Sequence, residues 1–119
     1  MVGYSTVEPR STAPGWQANN DLYIIGVSPS GYVSPARPEL EANSGGIYGW
    51  WGMNFQWASD GVRLAFARPD SIGLYDTRLD TLQTLVSIIP FQTGGDWAWV
   101  PGVSWAPDGN ALYSVQHIE

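Results

Sequence analysis

Phe55-Gln56-Trp57-Ala58-Ser59-Asp60-Gly61-Val62-Arg63-Leu64 returns 48 residues later as Val103-Ser104-Trp105-Ala106-Pro107-Asp108-Gly109-Asn110-Ala111-Leu112. Trp, Ala, Asp, Gly and Leu recur at matching places. The same offset carries Trp51 onto Trp99, and a Gly-Gly pair precedes each tryptophan-rich stretch (Gly45-Gly46 and Gly94-Gly95). A looser third copy, Trp16-Gln17-Ala18-Asn19-Asn20-Asp21-Leu22-Tyr23, stands 41 residues before the first, with Asn19-Asn20 in place of Asp-Gly. Asn adopts a positive φ more readily than other non-glycine residues, so the backbone demand is similar.

Each copy predicts a β-hairpin. Asp-Gly between two apolar runs offers two positive-φ positions for a tight turn whose twist suits the flanking strands. After the turn the chain alternates: Val62, Leu64 and Phe66 to one side, Arg63, Ala65 and Ala67 to the other. Ile72-Gly73-Leu74-Tyr75 and Thr81 to Ile88 are also strand-like, which gives four short strands between residues 53 and 88. No window carries an apolar period of 3.6 residues. Pro38-Glu39-Leu40-Glu41-Ala42 is open to a single helical turn, a strand or a loop. The fold class is therefore all-β.

A period of 40–50 residues with four strands per unit is the signature of a β-propeller blade. The tandem Trp-Ala-x-Asp-Gly hairpin, followed by a strand ending in Leu74-Tyr75-Asp76, resembles the TolB-like (WD-type) propeller repeat. The resemblance runs over nearly the whole chain from Trp16 onward and is most specific at Trp57–Asp76 and Trp105–Gly109. It implies four-stranded antiparallel blades in an incomplete ring. Residues 1–15 are then an N-terminal segment, with Tyr4 to Glu8 as the outer strand of a neighbouring blade. Residues 16–52 form a first blade with irregular outer strands, 53–100 a second, and 101–119 the inner two strands of a third. So few strands leave open edges and uncovered sheet faces. The expectation is completion by homo-oligomerisation, by another chain, or by the rest of a longer propeller.

Composition limits the partners. Apolar residues make up 44% of the 119, enough for an ordinary core, while charged residues are only 13% against roughly 25% in an average domain. Five arginines, no lysine and eleven acids give a net charge of −6, with no basic face for nucleic acid or an anionic membrane. No run approaches the roughly 20 apolar residues of a membrane span. No signal peptide is recognisable in the first residues, Met1 to Ala13. An extracytoplasmic parent is weakly favoured by the surface composition, and the compartment stays open. With no cysteine there are no thiolate metal sites, disulfides or Cys nucleophiles.

Chemistry-bearing patterns are few. Gly26-Val27-Ser28-Pro29-Ser30-Gly31 has the wrong spacing for a nucleophile elbow and no helix follows it. His117 is the only histidine and has no partnered nucleophile nearby. No catalytic residue, metal site or cofactor is expected, and the chain reads as a non-enzyme. Trp57 and Trp105 are assigned to packing, with Asp60, Gly61, Asp108 and Gly109 in the turns. Trp51 and Trp99, matched by the repeat, are also weighed towards packing. The resemblance puts Tyr48, Trp50 and Trp97 in connections at the channel mouth, on the same face as Asp96, Arg68 and Asp70. Flat aromatics beside acids in Gly-rich loops suit a glycan or a protein surface. The expected function is a binding or assembly module for a protein or carbohydrate partner. The alternatives are a piece of the non-catalytic propeller of a larger peptidase-type hydrolase, and a glycosidase-type propeller with paired carboxylates.

Overall fold

The computed structural model describes residues 1–11, 13, 15–42, 52–94 and 97–118, which contain strands and no helix. In chain order these are β1 (Val2–Tyr4), β2 (Val7–Pro9), β3 (Trp16–Ala18), β4 (Leu22–Ile25), β5 (Arg37–Leu40), β6 (Asn54–Trp57) and β7 (Arg63–Arg68). They continue as β8 (Ser71–Asp76), β9 (Thr81–Ser87), β10 (Gln92–Gly94), β11 (Trp97–Ala98), β12 (Gly102–Trp105) and β13 (Leu112–Val115). All the pairings are antiparallel. The expected all-β class holds, and the segment around Pro38 is strand β5 rather than a helical turn.

Strands β6-β7-β8-β9 form a four-stranded meander, the four strands expected between residues 53 and 88. Trp57 pairs with Leu64 in the first of its hairpins, and Trp105 pairs with Leu112 in β12–β13. The connecting turns differ from the expected form. Gly61 has φ 68°, but Asp60 is not in the left-handed region. The Gly61 amide donates to the Ala58 carbonyl at 3.0 Å and the Ala58 amide to the Arg63 carbonyl at 2.8 Å, which makes a longer loop with one positive-φ residue. The Asp60 carboxylate is the cause: it accepts from the Val62 and Arg63 amides at 2.8 and 3.1 Å, holding the aspartate inside the loop. The second turn repeats this, with Gly109 at φ 74° and the Asn110 amide donating to Asp108 at 3.0 Å.

The N-terminal copy folds differently. Strand β3 pairs with β2, and β4 pairs with β1 and β5, so Asn19-Asn20 does not turn Trp16–Ala18 back onto Leu22. Instead residues 2–9 and 16–25 make one long hairpin, and Asn19–Asp21 forms an irregularity within it. Asp21 accepts from the Thr6 amide at 2.8 Å and from its hydroxyl at 2.5 Å, while the Asn19 amide donates to the Thr6 carbonyl at 2.8 Å. Asn20 and Asp21 are buried, unlike the residues of a solvated turn, and the Asp21 carboxylate is satisfied by Thr6. Val2–Tyr4 thus shares a sheet with Leu22–Ile25.

The inner strands of sheet β6–β9 are covered on both sides, while β9 is exposed along its length. One face, with Phe55, Trp57, Leu64, Phe66 and Tyr75, packs against Leu22, Ile24 and Leu40 of the β1-β4-β5 sheet to form the core. The other face, with Asn54, Gln56, Arg63, Ala65 and Ala67, meets β12–β13. There the Trp105 amide donates to Gln56 Oε1 at 3.0 Å and its indole N–H to the Gln56 carbonyl at 2.9 Å. The Arg63 guanidinium lies 4.9 Å from the Trp105 ring centroid and donates to the Gly109 carbonyl at 2.9 Å. This explains why β7 is buried on both faces although its sequence alternates. Gly73 faces Phe66 across the β7–β8 pair, and a Cβ there would clash with Cζ of that ring, so the glycine makes the room Phe66 fills.

Candidate functional site

A cavity of about 310 Å³ opens at the end of the sheet opposite the Asp60–Gly61 turn. Its position follows from the β7–β8 connection. Arg68 pairs with Ser71, leaving Pro69-Asp70 as a two-residue turn. Pro69 is fully buried and forms one wall. The Ile88 amide donates to the Asp70 carbonyl at 2.8 Å, returning the chain after β9 to this turn. Ile88, Ile89 and Pro90 then line the cavity before Phe91, whose carbonyl accepts from the Trp99 amide at 2.9 Å. Gln116 and His117, just beyond β13, close the last side. The His117 imidazole stacks on Phe91 with ring centroids 3.6 Å apart and planes 14° from parallel.

The lining is aromatic and proline-rich with few polar groups: the Ser87 hydroxyl, the Gln116 amide and the His117 imidazole. Among the described residues no carboxylate or arginine lines it. It can offer flat apolar faces and a few neutral hydrogen-bonding groups, which suits an uncharged ligand surface. Among the described residues no group of three or more His, Asp and Glu side chains is placed to hold a metal ion.

The expected binding residues fall in several places. Arg68 and Asp70 flank the Pro69 wall. The guanidinium of Arg68 is turned inward and buried: its Nη1 donates to the Glu41 carbonyl at 3.2 Å, and its Nε lies 3.7 Å from Asp70 Oδ1. The proline between them, not the arginine, faces the cavity. Trp99, weighed towards packing, is half-buried and lines the cavity. Trp97 lies in β11, its backbone opposite Gly94. Tyr48, Trp50, Trp51 and Asp96 lie outside the described residues. Phe91, Gln116 and His117 went unassigned in the sequence, though Ile88-Ile89-Pro90-Phe91, an apolar run broken by proline just after a strand, was a usable signal. Ser28, from the elbow-like motif, is bound within its own exposed turn, accepting from the Tyr32 amide at 3.0 Å.

Two titrating groups away from the cavity are displaced from their ordinary range. Asp60 is held down at about 2, first by the Val62 amide and then by the Arg63 guanidinium and amide. Burial pushes the Tyr75 phenol up, helped by Asp80, which accepts a hydrogen bond from its hydroxyl at 2.5 Å, and by Glu39. Arg37 donates to the same phenol at 3.0 Å, tying β5 to the central sheet. These are joints between sheets and do not reach the cavity.

No protein-family model matches the chain, and no curated protein or solved structure matches it either.

Proposed function

We propose that this chain is a non-catalytic binding and assembly module built of propeller-type sheets, which presents its aromatic loop end to a protein or glycan. The observation that carries the binding half is the cavity beside the Pro69-Asp70 turn, where Trp99, Phe91 and His117 gather with two prolines and, among the described residues, no carboxylate or guanidinium. Stacking on such faces, with Gln116 and Ser87 supplying neutral hydrogen bonds, fits a neutral sugar ring or a proline-rich peptide segment. Ile89 extends the apolar surface at the rim, 92% exposed. The non-catalytic reading is supported by the same lining, in which His117 is the one titratable side chain among the described residues. The propeller reading is supported by the four-stranded meander between two further sheets and by the matched Trp–Leu pairs of its hairpins.

The test is a tryptophan-fluorescence titration of the whole chain with a panel of neutral oligosaccharides and a panel of proline-rich peptides. Trp99→Ala and His117→Ala are expected to weaken whichever probe binds at least tenfold. Binding that is unchanged in both variants rules out the cavity as the site.

A further inference from the structure

We infer that a second copy of this chain continues the stack of sheets head to tail, its β1-β4-β5 sheet covering the exposed face of β12–β13. The inference rests on the assembly half of the proposed function and names its partner and its surfaces.

The two internal interfaces have the same construction. Call the Trp57 side of a sheet its front and the Ala65 side its back. The front of β6–β9 receives the back of β1-β4-β5, which carries Leu22 and Ile24. The back of β6–β9 receives the front of β12–β13, which carries Trp105. Each contact is therefore front on back, with aromatic and aliphatic groups on the front.

The 48-residue offset shows what belongs on the next face. Ala65 and Ala67, fully buried beneath β12–β13, correspond to Tyr113 and Val115 on the back of the last hairpin. Those two are 64% and 70% exposed, and a shallow apolar depression lies between them and Ser104. A back face of this kind is covered by a front face elsewhere in the molecule, so a front face is its fitting occupant.

Among the described residues the β1-β4-β5 sheet offers such a front face. On β1 and β4, Gly3, Leu22 and Ile24 point to the core, so Tyr4, Tyr23, Val2 and Ile25 point away. Tyr4 and Tyr23 pair across the strands and stack, centroids 5.4 Å apart and planes 16° from parallel. Val2 opposite Ile25 completes an aromatic and aliphatic patch like that of Phe55, Trp57 and Leu64. Joining this front to the β12–β13 back is heterologous, leaving one free face of each kind on a dimer. Such a contact grows into a ring or a filament.

The heterologous form makes the test decisive. Val2→Glu blocks only the front and Val115→Glu only the back, and both positions are exposed enough to keep the fold. Near-UV circular dichroism checks that each variant remains native. Sedimentation equilibrium of the 119-residue chain is expected to show association, and each variant alone is expected to be monomeric. An equimolar mixture of the two is expected to give a dimer that grows no further, because one intact front meets one intact back. A monomeric wild-type chain at about 100 μM overturns the proposal. So does continued association of either variant alone, which would indicate front-on-front or back-on-back pairing, or a mixture that stays monomeric. Titrating the Val2→Glu variant with the probe panels separates the two readings, since cavity binding survives there even if assembly fails. Tyr113→Ala serves as a milder second variant, expected to weaken association at least tenfold.

Discussion

The hairpins β6–β7 and β12–β13 start from nearly the same ten residues, and their turns close with the same hydrogen bonds, yet one is core and the other is surface. Leu64 is fully buried, whereas Leu112, opposite the matching tryptophan, is half-buried. Ala65 and Ala67 are fully buried where Tyr113 and Val115 are mostly exposed. Local sequence therefore decides the hairpin and its loop, while the number of neighbouring sheets decides how much each residue contributes. Between these two hairpins, the covered back carries two alanines and the open back carries Tyr113 and Val115.

The largest expected effect tests the burial contrast directly. Leu64→Ala removes a side chain from a core shared by two sheets and should cost about 3 kcal/mol. Leu112→Ala, half-buried, should cost about 1 kcal/mol by the same transfer and cavity reasoning. Urea unfolding of both variants gives the comparison, and equal losses would break it. The back faces give the next test. Ala65→Tyr places at the covered position the residue that the open hairpin carries, and overpacking there should cost about 2 kcal/mol. Tyr113→Ala should stay within about 0.5 kcal/mol when measured on dissociated chains. A well-tolerated tyrosine at 65 would mean that the sheets can separate to accept it.

Much of this contrast could be anticipated from the sequence. The strands from Asn54 to Ser87 and the pair β12–β13 follow from alternation and from turn residues within a few positions of each other, which is local information. The turn type did not follow, because Asp60 has two uses: its backbone could take a positive φ, but its carboxylate gains more by accepting the Val62 and Arg63 amides. The Asn19-Asn20 turn was misjudged for a different reason. Asn19, Asn20 and Asp21 look like a turn until Thr6 is known to satisfy Asp21, and that partner is 15 residues away with no spacing rule to announce it. The cavity was hidden for the same reason, since its walls come from the Pro69 turn, the segment after β9, Trp99 and the exit of β13. Tryptophan content pointed to an aromatic end of the molecule, but not to the His117–Phe91 stack.

Smaller effects sharpen the comparison at the turns. Gly61→Ala and Gly109→Ala both force a side chain into the left-handed region, and each should cost about 1 kcal/mol. They should not be identical. A Cβ at residue 61 meets nothing within 4 Å, whereas one at residue 109 would lie 3.1 Å from Arg63 Nη2, the group that bonds the Gly109 carbonyl. The alanine at 109 therefore also disturbs the contact between sheets. Thermal unfolding should place it a degree or more below the alanine at 61, and the reverse order would show that Arg63 does not hold the two hairpins together.

The smallest effect depends on pH. Asp60 is ionised more easily in the folded chain than in the unfolded one, because two amides and the Arg63 guanidinium, 2.7 Å away, favour its charged form. The sign follows from that order: the folded value, about 2, lies below the ordinary value of 3.8, so the unfolded state binds the proton first. Its contribution is complete above about pH 4 and is lost as the pH falls towards 2. Asp60→Asn cannot lose what it lacks, so its unfolding midpoint should fall less than that of the wild type between pH 4 and 2. Position 111 carries alanine where Arg63 stands in the earlier hairpin, so the arginine contribution can be isolated. Arg63→Ala should flatten part of the same acid limb and leave the part due to the amides. If Arg63→Ala leaves the acid limb unchanged, the guanidinium serves Trp105 and Gly109 alone, and the two turns differ less than their sequences imply.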